Sequence, residues 1–369
     1  MAGFSRRSFL HLSAAASAAA AFHGMTEPML AAAARRRPHA RDAVLIDSNE
    51  NPLGPCQSAR DAVSAIIPLG GRYSDNLTDE LVNLFSQMEG LNPDSISCTA
   101  GSTPPLSLSV LAFTSPQKSY VTADPCFETG MMMAAISGAR VVKVPLTKTY
   151  AHDAKAMLAA GSDAGVFYVC NPNNPTGTMT PHADIEYLAA NKPKDAVILV
   201  DEAYIHLTEA PSALDLVKAG KDVIVLRTFS KVYGMAGLRC GFVIARPDLL
   251  EKVVSRGGQN FMPVTAVVAA TASLKDSALV AERRRINATI RQQTFQWLDR
   301  NGYAYIPSES NCFLLDTKRP GKEVRDAMAN ENVLIGRVWP IMPTYVRITV
   351  GTQDEMERFQ AAFQKVMKS

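Results

Sequence analysis

The sequence predicts an α/β protein, a mostly parallel central sheet with helices on both faces joined to a smaller α+β domain. Short apolar runs alternate with longer helical patterns through most of the chain. Polar residues gather just beyond the C-terminal ends of those runs, where open α/β sheets bind their ligands. Toward the C-terminus the pattern changes to long amphipathic helices and two strand-like pieces. The 369 residues are 47% hydrophobic, enough for a large core, and a formal charge of only +3 argues against a nucleic-acid partner.

The first residues differ in character from the rest. Ser5-Arg6-Arg7-Ser8-Phe9-Leu10 precedes a weakly apolar, Ala-rich run to Ala21, which is the grammar of an export signal. The segment resembles a twin-arginine signal, whose pathway carries proteins already folded. Ala32-Ala33-Ala34 satisfies a small-x-small cleavage rule, so a signal segment over 1–34 and a periplasmic location are expected, with the cytoplasm as the location if the signal does not function. The apolar run falls short of the ~20 residues that a permanent membrane span requires. The cysteines, Cys56, Cys98, Cys126, Cys170, Cys240 and Cys312, are widely spaced with no C-x-x-C, and leave the compartment open.

Taken in order, residues 95–99 read as a short strand and 106–113 as an apolar stretch after a glycine turn. Residues 119–122 read as strand, 127–137 as helix and 140–144 as strand. The run 166–170 leads into a Pro/Asn/Gly loop, 181–190 has helical spacing, and 196–200, 222–226 and 241–245 return to strand. Beyond them, 261–297 reads as one or two long helices, 311–315 and 346–350 as strands, and 354–366 as an amphipathic helix. This places the large domain at 71–255 and the connecting helices with the small domain at 256–369. Residues 35–70 form an N-terminal arm that crosses to the small domain.

The chemistry concentrates at the strand ends. Lys231 lies in Thr228-Phe229-Ser230-Lys231, a loop after an apolar run, and a lysine there forms a Schiff base once burial or nearby cations favour its neutral amine. Arg239 follows eight residues later with a fork suited to phosphate, and Thr228 and Ser230 offer hydroxyl donors. Asn174 sits in the proline-stiffened loop Asn171-Pro172-Asn173-Asn174-Pro175-Thr176-Gly177, able to hold its amide against a planar ligand. Asp201 ends an apolar run and needs a partner if buried. A protonated pyridine nitrogen is such a partner, with Tyr204 in reach of the ring hydroxyl and Glu202 turned away by strand alternation. Gly101-Ser102-Thr103 opens a helix whose N-terminus suits a phosphate, and Phe127 is placed to stack on a ring. These residues converge on pyridoxal 5′-phosphate. The sequence carries no metal-ligand pattern, no G-x-S-x-G and no H-E-x-x-H.

Seven segments, in order along the chain, carry a family resemblance. They are S-N-E-N-P-L-G-P at 48–55, R-Y at 72–73, A-G-S-T at 100–103, N-P-N-N-P-T-G at 171–177, D-E-A-Y at 201–204, T-F-S-K-V-Y-G-M-A-G-L-R-C-G at 228–241 and V-R-I-T-V-G-T at 346–352. The chain resembles the fold-type I pyridoxal-phosphate aminotransferases of class I/II, and among them the histidinol-phosphate aminotransferase branch. The resemblance implies that Lys231 binds the cofactor aldehyde, Asp201 its ring nitrogen, Asn174 and Tyr204 its ring hydroxyl, and that Phe127 stacks on the ring. It implies a phosphate cup of Gly101, Ser102, Thr228, Ser230 and Arg239. Thr103 adds a hydroxyl to that loop. The resemblance also implies a homodimer with shared sites, in which Tyr73 reaches the neighbouring subunit's cofactor phosphate.

At the substrate end, Arg347 is expected to clamp an α-carboxylate, and Asn51 to cover the substrate from the N-terminal arm. Arg337, among Trp339, Ile341 and Met342, faces either a distal anion or an apolar wall. The phosphate loop lacks the acidic pair frequent in the family, since Pro104-Pro105 follow Thr103, and Thr129-Gly130 stand where an aromatic is expected. With the export signal, these departures favour ping-pong transfer between a general L-amino acid and a 2-oxo acid over a dedicated histidinol-phosphate enzyme. A decarboxylase or lyase on the same scaffold, and a catalytically silent binding protein, are the alternatives.

Overall fold

The computed structural model describes residues 40–257 and 261–368. The expected signal at 1–34 and the start of the 35–70 arm lie outside the described residues. Everything below belongs to the unit that begins at Asp42.

The chain opens with a short strand, β1 (Val44–Ile46), whose partner comes much later. The central sheet is built from β2 (Ile96–Thr99), β3 (Ser119–Asp124), β4 (Val141–Pro145), β5 (Ala164–Cys170), β6 (Val197–Asp201), β7 (Val223–Thr228) and β8 (Gly241–Ala245). Their order across the sheet is β2-β8-β7-β6-β5-β3-β4. The five strands from β4 to β7 run parallel, and β8 lies antiparallel between β7 and β2. Every residue of β5 to β8 is buried, because helices cover both faces and leave no polar side to alternate with.

One face presents Phe167, Val169, Ile198, Val200 and Val225; the other presents Tyr168, Leu199, Ile224 and Leu226. The first face also packs Cys56 and Ala59 near the helix Gln57–Ile66, and Ala266, Val267 and Ala270 from Val264–Lys275. The large-domain core therefore draws on residues at both sides of the expected 71–255 span. Alanines let these helices approach closely, and such small residues read in sequence as connecting helix rather than core.

β6 and β7 run past their apolar cores to Asp201 and Thr228, which pair with Cys170 and Gly241 on neighbouring strands. A ladder is a backbone property and does not stop where hydrophobicity does. The residues 106–113 lie in the helix Thr103–Phe113, which starts directly behind Gly101.

The small domain holds β9 (Cys312–Asp316) antiparallel to β11 (Tyr345–Thr349), and β10 (Val333–Ile335) parallel to β1. Val44 and Ile46 share its core with Phe313, Ile348, Phe359 and Phe363. The opening strand of the unit is thus paired with β10, which leads to Arg337, and shares a core with β11, which carries Arg347. Among the described residues no single helix is long and apolar enough to cross a membrane.

Candidate active site

The cup forms where β2, β8 and β7 end together. Thr99 and Thr228 both pair with Gly241, so the loops after β2 and β7 emerge side by side. Gly101 has φ +86°, and a Cβ there would collide with the Arg239 guanidinium. Arg239 ties the loops together, donating to the Ala100 carbonyl at 3.1 Å, the Ala236 carbonyl at 2.9 Å and Ser230 Oγ at 3.2 Å. Thr228 Oγ1 donates to Ser230 Oγ at 2.9 Å. Ser102 caps the helix Thr103–Phe113 without a side-chain hydrogen bond, and Thr103 stands exposed in its first turn. A helix N-terminus, a guanidinium and two hydroxyls thus face one spot, which suits a phosphate.

Asp201 lies at the end of β6, buried. Its carboxylate accepts from Tyr168 Oη at 3.0 Å and from the Ala203 N–H at 3.1 Å. Burial pushes its pKa up to about 6, and those two donors only partly oppose the shift. Tyr168 and Asp201 side chains share one face of the sheet. Glu202 turns to the other, where it pairs with Arg227 at 2.7 Å and with Ser212 at 2.8 Å.

Lys231 follows β7 and donates to the Asn49 carbonyl at 2.9 Å. Burial, then the positive charge of Arg347, bring its pKa down to about 8. Its Nζ lies 5.4 Å from the Tyr204 ring centroid, and Tyr204 Oη accepts from Asn49 Nδ2 at 2.9 Å. Burial pushes the Tyr204 phenol well up.

Arg347 is buried in β11, where it pairs with Leu314 of β9, rather than on a solvated edge. It donates to Asn174 Oδ1 at 2.9 Å and to the Asp47 carbonyl at 2.6 Å, while its buried Nε has no hydrogen-bond partner among the described residues. Arg337 forms an ion pair with Glu128 and lies over the Trp339 ring, 4.4 Å from its centroid; Arg347 is 5.6 Å from the same centroid. Trp339 is buried with Met342 packed in the same cluster, but Ile341 is 52% exposed, so the apolar wall expected from this segment reduces to those two residues.

Asn51 borders the cleft beside Lys231, and its amide is spent on the Val232 carbonyl at 3.0 Å and the Leu53 N–H at 3.1 Å. Phe127 is half-buried against the second core face. Tyr73 is 82% exposed, its ring 5.0 Å from Phe261. Sequence reasoning passed over Asn49, Tyr168, Asn311 and Glu128. Asn49 was legible in principle, inside the 48–55 motif; its φ of +53° and its carbonyl, shared by Lys231 and Asn311, belong to the folded chain.

These features match the needs of pyridoxal phosphate. Among the described residues the buried Asp201 accepts hydrogen bonds only from neutral donors, a setting suited to a cation such as a ring N–H⁺; Lys231 is poised toward its neutral amine, and the cup is open only because residue 101 has no Cβ. The fold and site define a pyridoxal-phosphate-dependent enzyme of the α/β type. The model of the family "Aminotransferase class I and II" matches residues 41–363, and the chain belongs to that family. It is therefore a pyridoxal-phosphate-dependent aminotransferase. A histidinol-phosphate aminotransferase of Moorella thermoacetica is 33% identical over 338 residues, covering 89% of this chain and 86% of that protein. Histidinol-phosphate aminotransferase 1 of Cupriavidus pinatubonensis is 34% identical, covering 88% of each. The solved histidinol-phosphate aminotransferase of Sinorhizobium meliloti, in complex with pyridoxal-5′-phosphate, superposes with a TM-score of 0.82 at 26% identity, covering 89% of this chain and 92% of that one.

Proposed function

We propose that this aminotransferase acts on an amine bearing a phosphate ester close to its reacting carbon, histidinol phosphate being the reading that its relatives favour. This favours the histidinol-phosphate alternative over the general amino-acid substrate preferred from the sequence. That preference rested on the export signal and on loop departures, whereas relatives of this name align along nearly nine tenths of the chain. The carrying observation is the convergence of Arg337 and Arg347 on the Trp339 ring, 4.4 and 5.6 Å from its centroid. Histidinol phosphate has a phosphooxymethyl group where an amino acid has its α-carboxylate, so its anion reaches two bonds further from Cα, from Arg347 toward Arg337.

When bound, pyridoxal phosphate supplies an aldehyde that takes up the amino group and a ring that accepts electron density from Cα. Lys231 holds the aldehyde at rest, and its amine removes the substrate Cα proton once displaced. Asp201 keeps the proton on the ring nitrogen. Asn174 and Tyr204 hydrogen-bond the ring hydroxyl, and Phe127 covers one ring face. Gly101, Ser102, Thr103, Thr228, Ser230 and Arg239 bind the phosphate. Asn51 braces the loop that carries Lys231.

The test is a half-reaction panel on the holoenzyme, following the cofactor's absorbance with histidinol phosphate and with aromatic, aliphatic, acidic and basic amino acids. Histidinol phosphate should give the highest kcat/KM, and an amino acid that outperforms it by tenfold or more sinks the substrate reading. Carbon dioxide release without the transamination signal would point to a decarboxylase instead.

We also infer a homodimer, in which the partner subunit's Tyr73 meets this chain's cofactor phosphate. The exposure of Tyr73 together with Ile67, Leu69 and Phe261 supports it. Light scattering that shows a monomer at working concentration would reject it. Export to the periplasm through the folded-protein machinery rests on Ser5-Arg6-Arg7-Ser8-Phe9-Leu10, and fractionation after replacing Arg6 and Arg7 with lysine tests it.

A further inference from the structure

Arg337, the outer of the two arginines on Trp339, already holds a carboxylate. Glu128 follows Phe127 at the N-terminus of the helix Thr129–Ile136, and its Oε2 receives the Arg337 guanidinium. The pair is enclosed, with the side chains 25% and 12% exposed for Arg337 and Glu128. Arg347 spends two of its nitrogens on neutral acceptors, the Asn174 amide and the Asp47 carbonyl, and retains its charge for a ligand. Arg337, Arg347 and Glu128 together thus hold two positive charges and one negative, and offer a single net positive charge to an incoming anion.

That sum fits a carboxylate, with one charge and one arginine. A phosphate monoester brings nearly two charges, and its second must compete with Glu128 for Arg337 or lie beside the Glu128 carboxylate. Like charges so close in an enclosed site are costly. Burial raises the Glu128 pKa, Arg337 opposes that shift, and Lys143 and Asp124 contribute opposite smaller effects. Lys143 is itself bound to Asp124 at 3.3 Å, so Arg337 is the principal counter-ion of Glu128.

We propose that Glu128 is a specificity residue, an internal counter-ion on Arg337 that must give way before Arg337 and Arg347 together clamp a phosphate. This rests on the substrate reading above and adds to it the element that balances phosphate-bearing amines against α-amino acids. In the resting pocket the one-arginine site for a carboxylate stands ready, whereas the two-arginine site has to be opened.

The experiment uses holoenzyme, whose cofactor fills the phosphate cup, and phenyl phosphate as a probe that carries no amino group. Calorimetry should show phenyl phosphate binding tighten by about tenfold or more in Glu128→Gln, the scale of one charge-assisted hydrogen bond. The ratio of kcat/KM for histidinol phosphate over L-histidine should rise in step, chiefly through KM, since the two share an imidazole and differ only in the anion. Unchanged or weaker phenyl phosphate binding overturns the proposal. If Glu128→Gln fails to retain its cofactor, the double variant Glu128→Gln/Arg337→Gln decides. It should bind phenyl phosphate within about threefold of wild type, because the native pair has no net charge, and a loss beyond about tenfold overturns the proposal. Tightened phenyl phosphate binding without turnover of histidinol phosphate would sink the substrate reading and uphold the counter-ion. Turnover of histidinol phosphate with an unaltered phenyl phosphate affinity does the reverse.

Discussion

The Lys231 ammonium donates to the carbonyl of Asn49, 182 residues earlier, at 2.9 Å. The same asparagine donates through Nδ2 to Tyr204 Oη at 2.9 Å, and Thr349 Oγ1 donates to its Oδ1 at 3.1 Å. One residue of the opening segment therefore joins the lysine loop, the Asp201–Tyr204 corner and β11.

Replacing Asn49 with alanine leaves its backbone carbonyl and its N–H to Thr349 Oγ1, but removes the amide that donates to Tyr204 Oη and accepts from the Thr349 hydroxyl. The expected cost is about 1–3 kcal/mol in urea unfolding of the holoenzyme, with faster cofactor loss on dilution. Stability and retention equal to wild type would show that the amide bonds contribute nothing.

Asp201 predicts a pH effect on the cofactor-free protein. Its folded pKa of about 6 lies above the ordinary value of 3.8, so between those values the folded state binds more protons than the unfolded one. Stability therefore falls as pH rises through that window, by roughly 1–3 kcal/mol, and remains lower above it. Asp201→Asn should flatten this part of the stability profile while weakening cofactor function. A wild-type apoprotein whose denaturation midpoint does not fall from pH 4 to 7 relative to Asp201→Asn contradicts the assignment.

Lys231 and Arg347 are electrostatically coupled, since the guanidinium helps hold the lysine near pKa 8. Capture of pyridoxal phosphate by the apoprotein should accelerate with pH through about 8, as neutral amine accumulates. Arg347→Gln removes a repelling charge, so the midpoint of that rate profile should move upward. A downward shift would mean that Arg347 acts on Lys231 through something other than charge.

Gly101→Ala should damage the cup selectively. The new methyl meets Arg239 and the residue must keep φ near +86°, a strain of order 1–3 kcal/mol. The expected result is cofactor affinity reduced about tenfold or more, with secondary structure retained by circular dichroism. Binding equal to wild type would show that Arg239 swings aside without loss.

Much of this molecule is legible along the chain. The alternation of apolar runs and helical periods marks the α/β sheet, and Lys231, Asp201, Asn174 and Arg239 each stand in a short segment whose local chemistry suggests its part. Strand ends were less legible, because Asp201 and Thr228 continue their ladders through backbone hydrogen bonds that hydropathy does not register. The helix Gln57–Ile66 was also missed, its Ala-lined contact with Val264–Lys275 carrying a weak apolar signal.

By itself the sequence pointed to the cofactor, because a Schiff-base lysine, a strand-end acid and a hydroxyl-rich phosphate loop are each encoded within a few neighbouring residues, while the reaction class came from the resemblance of those segments to the class I/II aminotransferases. The fold alone decided which charges at the substrate end are available. Glu128 finds Arg337 across 209 residues, and Asn49 finds Lys231 across 182. Such pairs depend on how β1, the central sheet and the small domain pack around one cleft, and local periodicity carries no record of that packing.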